Sequence, residues 1–348
     1  MTTPATPSPL ARALRTAVAG QHLDADTTER AMASLMAGEA SDALIAGFLT
    51  ALRMKGETAD EIMGAVRAMR ARVVPVSVGR DVVLDTCGTG GDGAGTFNIS
   101  TAVAFVCAAA GVTVAKHGNR AVSSRVGSAD VLERLGVRID LGPEAVLRCI
   151  HELNIGFLFA PLHHAALRHA STVRRELGFR TLLNLLGPLT NPAGATHQLV
   201  GIYDPQRLDV VAEVLGRLGA RRAMVVHGED GLDEVSIAAP TQAAVWLDGR
   251  VERWVLAPEE LGVPRAPLSA VAGGDGAENA ALVRRVLAGE ETGPPADIVR
   301  LNAGCALWVA ERTASVAEGV TLATEVLRSG AGLARLEALV TRTQELAP

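Results

Sequence analysis

The residues best equipped for chemistry lie between Leu84 and Leu135, LDTCGTGGDGAGTFNISTAVAFVCAAAGVTVAKHGNRAVSSRVGSADVLERL. Gly88-Thr89-Gly90-Gly91-Asp92-Gly93 holds four glycines in six residues, which bares backbone N–H groups to a ligand. Thr96, Asn98, Ser100 and Thr101 follow and lead into an apolar helix expected from about Ala102 to Ala110. A strand (Val82–Leu84), a glycine turn and a helix start form an anion site, because unpaired donors and the helix dipole point the same way. The pattern then repeats. A second strand expected over Val112–Ala115 ends in Lys116-His117-Gly118-Asn119-Arg120, and Ser123, Ser124 and Ser128 precede a helix around Asp130–Leu135. Two phosphate-friendly loops after consecutive strands suggest a ligand with two anionic ends, with Lys116, Arg120 and the serines adding to the glycine loop.

Two common phosphate motifs do not fit. No Lys-Ser/Thr follows the glycines at P-loop spacing. Gly88, Gly90 and Gly93 do match G-x-G-x-x-G, but the acid that a dinucleotide site needs about 20 residues on is missing, since the second strand ends in Lys116. A separate acidic pair, Asp233-Glu234, follows a strand expected at Arg222–His227 and a glycine turn. Mg²⁺ takes oxygen ligands and keeps several waters, so one or two carboxylates plus substrate phosphates can hold it. The bland alternative for such a pair is a solvated loop.

These residues need a frame, and the chain supplies two kinds. Residues 8–73 read as four helices: Leu10–Ala19, one capped by Asp26 with Glu29 in a capping box, one from Ser41 to Gly56, and one capped by Thr58 with Glu61 running to about Arg72. This segment has apolar stripes and no chemistry, as expected of core or interface. Val74-Pro75 marks a boundary, after which strands alternate with helices. Continuous apolar runs such as Ala223–Val226 and Ile155–Ala160 indicate a mainly parallel sheet covered on both faces. Further strands are expected at Leu199–Tyr203 and as a hairpin from Gln242 to Val255 around Asp248-Gly249. Helices are expected at Gln206–Leu218, Asn279–Leu287, Ala296–Ala310, Val316–Arg328 and Leu333–Leu346. His163 and His169, in or near a helix with His164, Arg168, Arg174 and Arg175, read as a solvated helix face.

Length and composition suit one large domain, read as α/β from the alternation above, plus a small all-α one. The 348 residues are 48% hydrophobic but only 3% aromatic, so Ala, Val and Leu must build the core. A net charge of −5 without a basic block argues against a nucleic-acid surface. Cys87, Cys107, Cys149 and Cys305 form no C-x-x-C pair and read as reduced thiols of a cytoplasmic protein. The N-terminal residues lack a signal-peptide h-region, and the longest apolar run is too short for a membrane span.

GTGGDGAGTFNIST followed by AKHGNR resembles anthranilate phosphoribosyltransferase, of the nucleoside phosphorylase class II fold group. The likeness extends through HGEDGLDEVS and LNAGCAL, so it covers nearly the whole chain and is weakest before about Leu44. It implies transfer of the 5-phosphoribosyl group from phosphoribosyl pyrophosphate (PRPP) to the anthranilate amine in tryptophan biosynthesis, with Mg²⁺. By similarity the PRPP site comprises Gly88, Gly91, Asp92, Thr96, Asn98, Ile99, Ser100 and Thr101 of the first loop. The second loop adds Lys116, His117, Gly118, Asn119, Arg120, Ser123, Ser124 and Ser128. The resemblance puts the metal on Ser100, Asp233 and Glu234, and anthranilate on Gly88, Asn119, His164, Arg174 and Gly187. It assigns no general acid or base, since an aniline nitrogen is already neutral at pH 7. It further implies that a segment of about 176–195 returns to a helical domain of residues 1–74, leaving 75–175 and 196–348 as the catalytic domain. A homodimer through the helical domain is implied as well. Three positions depart from the family pattern: Ala165 where a proline commonly follows the histidine, Leu183 for a usual phenylalanine, and Val126 for a small or polar residue. Two rival readings are a pyrimidine nucleoside phosphorylase, whose loop signatures differ, and a non-catalytic phosphoribosyl sensor, which could dispense with Asp233 and Glu234.

Overall fold

The structure, a computed structural model, describes residues 7–121 and 125–347. The chain divides into two compact units, Met1–Val74 with His163–Thr190, and Pro75–Leu162 with Asn191–Pro348.

The first unit opens with α1 (Pro9–Val18), α2 (Ala25–Met36), α3 (Asp42–Lys55) and α4 (Ala59–Arg70). Each begins at a side chain able to accept an orphan N–H. Ser41 caps α3, Gly56 ends it at φ +86°, and Thr58 with Glu61 forms the expected capping box on α4. On α2 the expected cap is wrong. Asp24, not Asp26, accepts the Thr27 N–H at 2.6 Å, and Asp26 sits in the first turn. The neighbouring Leu23 is buried, which sets the entry of the chain two residues earlier than the Asp26–Glu29 spacing suggests. Glu61 does more than cap: its buried carboxylate also takes the Leu23 N–H at 2.9 Å and Lys55 Nζ at 2.8 Å, joining three helix ends. The core of this unit is aliphatic around Phe48, with Leu10, Met32, Leu35, Leu49 and Ile62 all fully buried.

The second unit alternates strand and helix: β1 (Leu84–Gly88), α5 (Ile99–Ala109), β2 (Val114–Gly118), α6 (Ser128–Arg134), α7 (Pro143–Leu153) and β3 (Ile155–Phe159). One helical turn, α8 (Ala160–His163), ends this run, and α9 (Ser171–Leu177) and α10 (Leu182–Leu189) then belong to the helical unit. The part of the chain grouped with the helices is thus His163–Thr190, longer at its start and shorter at its end than the 176–195 implied by resemblance. Arg70 holds it from α4, donating to the Leu189 carbonyl at 3.0 Å. His163 is not a solvated residue: it is 3% exposed, and its Nδ1 donates to the Val74 carbonyl at 3.1 Å. His169 is half-buried, its ring lying where a Cβ on Gly38 would be.

The sheet resumes with β4 (His197–Gly201), α11 (Leu208–Arg217), β5 (Arg222–Gly228), β6 (Thr241–Leu247) and β7 (Arg250–Leu256), and α12 (Gly276–Ala288), α13 (Pro294–Val309), α14 (Val316–Arg328) and α15 (Ala331–Glu345) close the unit. Strand order is β3-β2-β1-β4-β5-β6-β7, with β1 to β5 parallel and β6 and β7 antiparallel. Asp248 and Gly249 turn the hairpin at φ +50° and +79°, the backbone a tight primed turn requires. α5 and α13 are the central helices, buried over nearly their whole lengths. Gly304 of the LNAGCAL stretch lets α13 meet Gly319 of α14 backbone to backbone, so that motif serves packing.

Three strands begin differently from expectation. β1 and β2 start later than the apolar runs Val82–Leu84 and Val112–Ala115 and continue into Asp85-Thr86-Cys87 and Lys116-His117, while β4 starts earlier, at His197. Hydrophobicity locates strands by their apolar side chains, whereas these carry buried polar groups that find partners across the sheet.

Candidate active site

The strand order reverses between β1 and β4, since β2 lies on one side of β1 and β4 on the other. In an open parallel sheet the crevice beyond the carboxyl ends at such a point is where ligands bind. A cleft of about 290 Å³ opens there, lined by the loops after β1 and β2, the start of α5, and Asp233 and Glu234. It includes Gly88, Gly91, Asp92, Thr96, Asn98, Ile99, Ser100, Thr101, Lys116, His117, Gly118, Asn119, Arg120 and Ser128. Ser123 and Ser124 lie outside the described residues.

Glycines let the parts approach. Gly88 and Gly201 are register partners on adjacent strands. A Cβ on Gly88 would stand 2.7 Å from Asp233 Oδ2, and one on Gly201 only 1.5 Å from the Asp233 carbonyl oxygen. The acidic loop therefore rests on a shelf of two glycines. Gly90, at φ +68°, donates its N–H to Asp233 Oδ2 at 2.7 Å. Gly118 leaves room for Ser128 Oγ, which a Cβ would approach to 2.2 Å.

The floor of the cleft is a cluster of buried charge. Lys116 is 4% exposed, and its Nζ donates to the Thr86 carbonyl at 2.5 Å and to Ser100 Oγ at 3.3 Å. Burial lowers its pKa, against the pull of Asp85, Cys87 and Glu234. Asp85 is fully buried, which raises its carboxyl, and it accepts the His117 N–H at 3.2 Å and Asn191 Nδ2 at 2.7 Å. Burial, and then the nearby Asp92 and Glu234, push Asp233 well above the carboxylate range. Glu234, part of whose surface opens to the cleft, is pushed up to about 7 by burial despite Lys116 and hydrogen bonds from Ser100. Carboxylates whose ionisation is opposed by burial first, and by neighbouring acids second, suit a site that gains a cation to neutralise them. Among the described residues no three acids or imidazoles form a ready-made metal cage. A hard cation there would need oxygens from its ligand as well.

Arg120 departs from its expected part as a phosphate cation. Its guanidinium forks onto Glu133 at 2.8 Å and Asp130 at 3.0 Å and lies 5.6 Å over the Phe159 ring, so its charge is already matched. Cys87 also lines the cleft, and burial, then Asp85, raise its thiol well above its ordinary range. Sequence reading passed over Asp85, Asn191, Gly201 and Asn279. Asn279 donates to Asn98 Oδ1 at 3.2 Å and accepts the Gly274 N–H at 2.8 Å, so it holds the start of α5 from α12. Asp85 and Gly201 adjoin apolar strand residues, a faint signal. Asn191 and Asn279 had none.

The three positions implied for anthranilate outside the α/β unit, His164, Arg174 and Gly187, all fall in the helical unit. Burial lowers the Arg174 pKa, and no hydrogen bond or ion pair to its guanidinium is found among the described residues. His164 is brought down to about 4 by burial, then by His163, and is neutral at pH 7. A Cβ on Gly187 would meet nothing within 4 Å, so its neighbourhood is open. Of the departures, Ala165 begins a 3-10 turn, Leu183 is buried in the helical core, and the Val126 carbonyl accepts Asn98 Nδ2 at 3.2 Å.

Residues 80–333 match the α/β domain of a glycosyl transferase family, and residues 11–73 match that family's helical bundle domain. The anthranilate phosphoribosyltransferase of Moorella thermoacetica is 53% identical over 93% of this chain and 95% of its own. That of Thermomicrobium roseum is 54% identical over 96% and 97%. The crystal structure of anthranilate phosphoribosyltransferase from Thermus thermophilus superposes with a TM-score of 0.90 at 50% identity, covering 95% of this chain and 99% of that one. The Saccharomyces cerevisiae enzyme in complex with PRPP and Mg gives 0.88 at 26% identity over 98% and 99%. By sequence over nearly its full length, and by fold, the chain belongs to the anthranilate phosphoribosyltransferase family.

Proposed function

We infer that the phosphoribosyl transfer of this family runs in the cleft at the β1/β4 switch point, with PRPP held by the two loops and Mg²⁺ by Asp233, Glu234 and Ser100. The observation that carries this is the union of a glycine-rich loop, a buried lysine and buried carboxylates in one crevice. The yeast relative's complex with PRPP and Mg supports it. In the reaction the bond from ribose C1 to the pyrophosphate oxygen breaks, a bond from C1 to the anthranilate nitrogen forms, and that nitrogen's extra proton passes to solvent. The amine lone pair is free at neutral pH, so the chain needs no base to expose it. The glycine-loop and second-loop donors orient the phosphates, and Lys116 supplies a point charge beneath the leaving pyrophosphate. Bound Mg²⁺ would neutralise charge gathering on that leaving group. Arg174 supplies the planar fork that a carboxylate binds bidentately, and its lack of a protein partner among the described residues leaves it free for anthranilate.

The direct test is product formation from PRPP, anthranilate and Mg²⁺, expected to yield N-(5-phosphoribosyl)anthranilate and pyrophosphate in equal amounts. Uridine or thymidine with phosphate serves as control, and phosphorolysis in place of transfer would overturn the reading. We also propose a cytoplasmic homodimer joined through the helical unit, whose Val18 and Met54 are 71% and 84% exposed. The four cysteines are free, as a reducing compartment allows. Sedimentation giving a monomer mass at all concentrations would refute the dimer.

A further inference from the structure

Asp130 lies outside the cleft lining, yet the backbone on both sides of the second anion loop converges on it. Its Oδ2 accepts the Ala121 N–H at 3.0 Å and the Gly127 N–H at 2.9 Å, while Oδ1 accepts Arg120 Nη1 at 3.0 Å. Gly127 is the crossing point of the two limbs: a Cβ there would stand 2.4 Å from the Ala121 nitrogen and 2.6 Å from the Asn119 oxygen. Ser128 Oγ donates to that same Asn119 oxygen at 3.4 Å. One carboxylate therefore ties residues 120, 121 and 127 together, next to Asn119 and Ser128, which line the cleft with Arg120. Burial acts to raise this carboxyl but is outweighed by the hydrogen bonds from Ala121, Gly127 and Arg120, so it stays ionised.

We propose that Asp130 is a positioning residue for the second phosphate site, acting on PRPP affinity by holding Asn119–Ala121 against Gly127–Ser128 without touching substrate. The proposal rests on the assignment of PRPP to this cleft. Holding Asn119, Arg120 and Ser128 in place before the ligand arrives removes that cost from binding. A group outside the cleft lining that does not touch substrate should change ground-state binding and leave the saturated rate alone. The two neighbouring acids have different parts. Glu133 holds Arg120 alone, whereas only Asp130 reaches the backbone.

The test is isothermal calorimetry of PRPP with Mg²⁺ and steady-state kinetics on three proteins: wild type, Asp130→Ala and Asp130→Asn. Asp130→Ala removes every acceptor and should weaken PRPP on the order of thirtyfold in both Kd and KM, with kcat within about threefold of wild type. Asn keeps one oxygen, which can serve both backbone N–H groups, so Asp130→Asn should recover most of the loss. Trypsin cleavage after the exposed Arg125 should quicken in Asp130→Ala and slow again with PRPP. Unchanged PRPP affinity in a folded Asp130→Ala overturns the proposal, as does a fall in kcat at unchanged KM. If Asp130→Ala fails to fold, Glu133→Ala is compared with Asp130→Asn: a larger PRPP defect in Glu133→Ala overturns the proposal, and a larger defect in Asp130→Asn supports it. Failure of the wild type itself to bind PRPP would instead overturn the ligand assignment.

Discussion

Gly201→Ala offers a sharp test, because one methyl group on β4 should disable the proposed metal site by displacing the backbone of Asp233. In the folded chain the new Cβ would stand 1.5 Å from the Asp233 carbonyl oxygen and 2.5 Å from its carbon. An ordinary contact at that position is about 3.4 Å or more, so strand or loop must yield by roughly 2 Å. β4 is tied on both sides, to β1 through Gly88 and to β5 through Val226, and Gly201 also accepts the Thr89 N–H at 2.9 Å. The loop carrying Asp233 is therefore the part that moves, which breaks the 2.7 Å bond from Gly90 and displaces both carboxylates. A misplacement of about 1 Å can cost on the order of a hundredfold in rate, so kcat/KM should fall by at least about that factor. Overpacking at a buried strand position should cost about 1–3 kcal/mol of stability. The assay is kcat/KM across a Mg²⁺ titration, alongside thermal melting and circular dichroism. A folded Gly201→Ala enzyme with wild-type rate and Mg²⁺ half-saturation would refute the claim that the glycine shelf places the acidic loop.

Other outcomes follow from the same site. Asp233→Asn with Glu234→Gln should keep the fold but lower kcat/KM at ordinary Mg²⁺ on the order of a thousandfold, by steady-state kinetics, since several kcal/mol of charge stabilisation is lost. Arg174→Ala should raise the anthranilate KM roughly thirtyfold to two-hundredfold, about 2–3 kcal/mol, and leave calorimetric PRPP binding nearly intact. Arg174→Lys should recover part of this, because an ammonium cannot make the planar bidentate contact. If Arg174→Ala weakens PRPP and spares anthranilate, the residue belongs to the phosphate side. On the proposed metal assignment, Mg²⁺ competes with the proton of Glu234, whose carboxyl is pushed up to about 7. Mg²⁺ affinity should therefore weaken about tenfold per unit as pH falls below 7, measured by titration calorimetry in buffers of different ionisation heat. The sign for stability is opposite in the metal-free protein. Its raised carboxyl holds a proton that the unfolded chain has released, so stability should decline as pH rises from about 4.5 to about 7.

The loops and the capped helices were legible in the sequence because local chemistry dictates them. Ser41, Gly56 and the Thr58–Glu61 box each act within a turn of the chain, and the Asp248-Gly249 turn acts within two residues. The glycine loop and KHGNR announced an anion cleft, and the structure brings both to one crevice. Periodicity misjudged what depended on distant partners. Asp26 has the spacing of a cap, but the burial of Leu23 gave that place to Asp24. His163 has the look of a surface residue until its buried ring donates a hydrogen bond to the Val74 carbonyl. Arg120 reads as a phosphate cation until α6 folds Asp130 and Glu133 against it. Asp85 and Lys116 are polar residues in strands, tolerable only because Asn191, Thr86 and Ser100 meet them inside. Sequence by itself determined which groups could bind phosphate and a hard cation, since that is a property of residue type and near spacing. Only the tertiary structure decided which charges are spent on each other and which face the cleft, because burial and pairing arise where segments far apart in the chain are brought into contact.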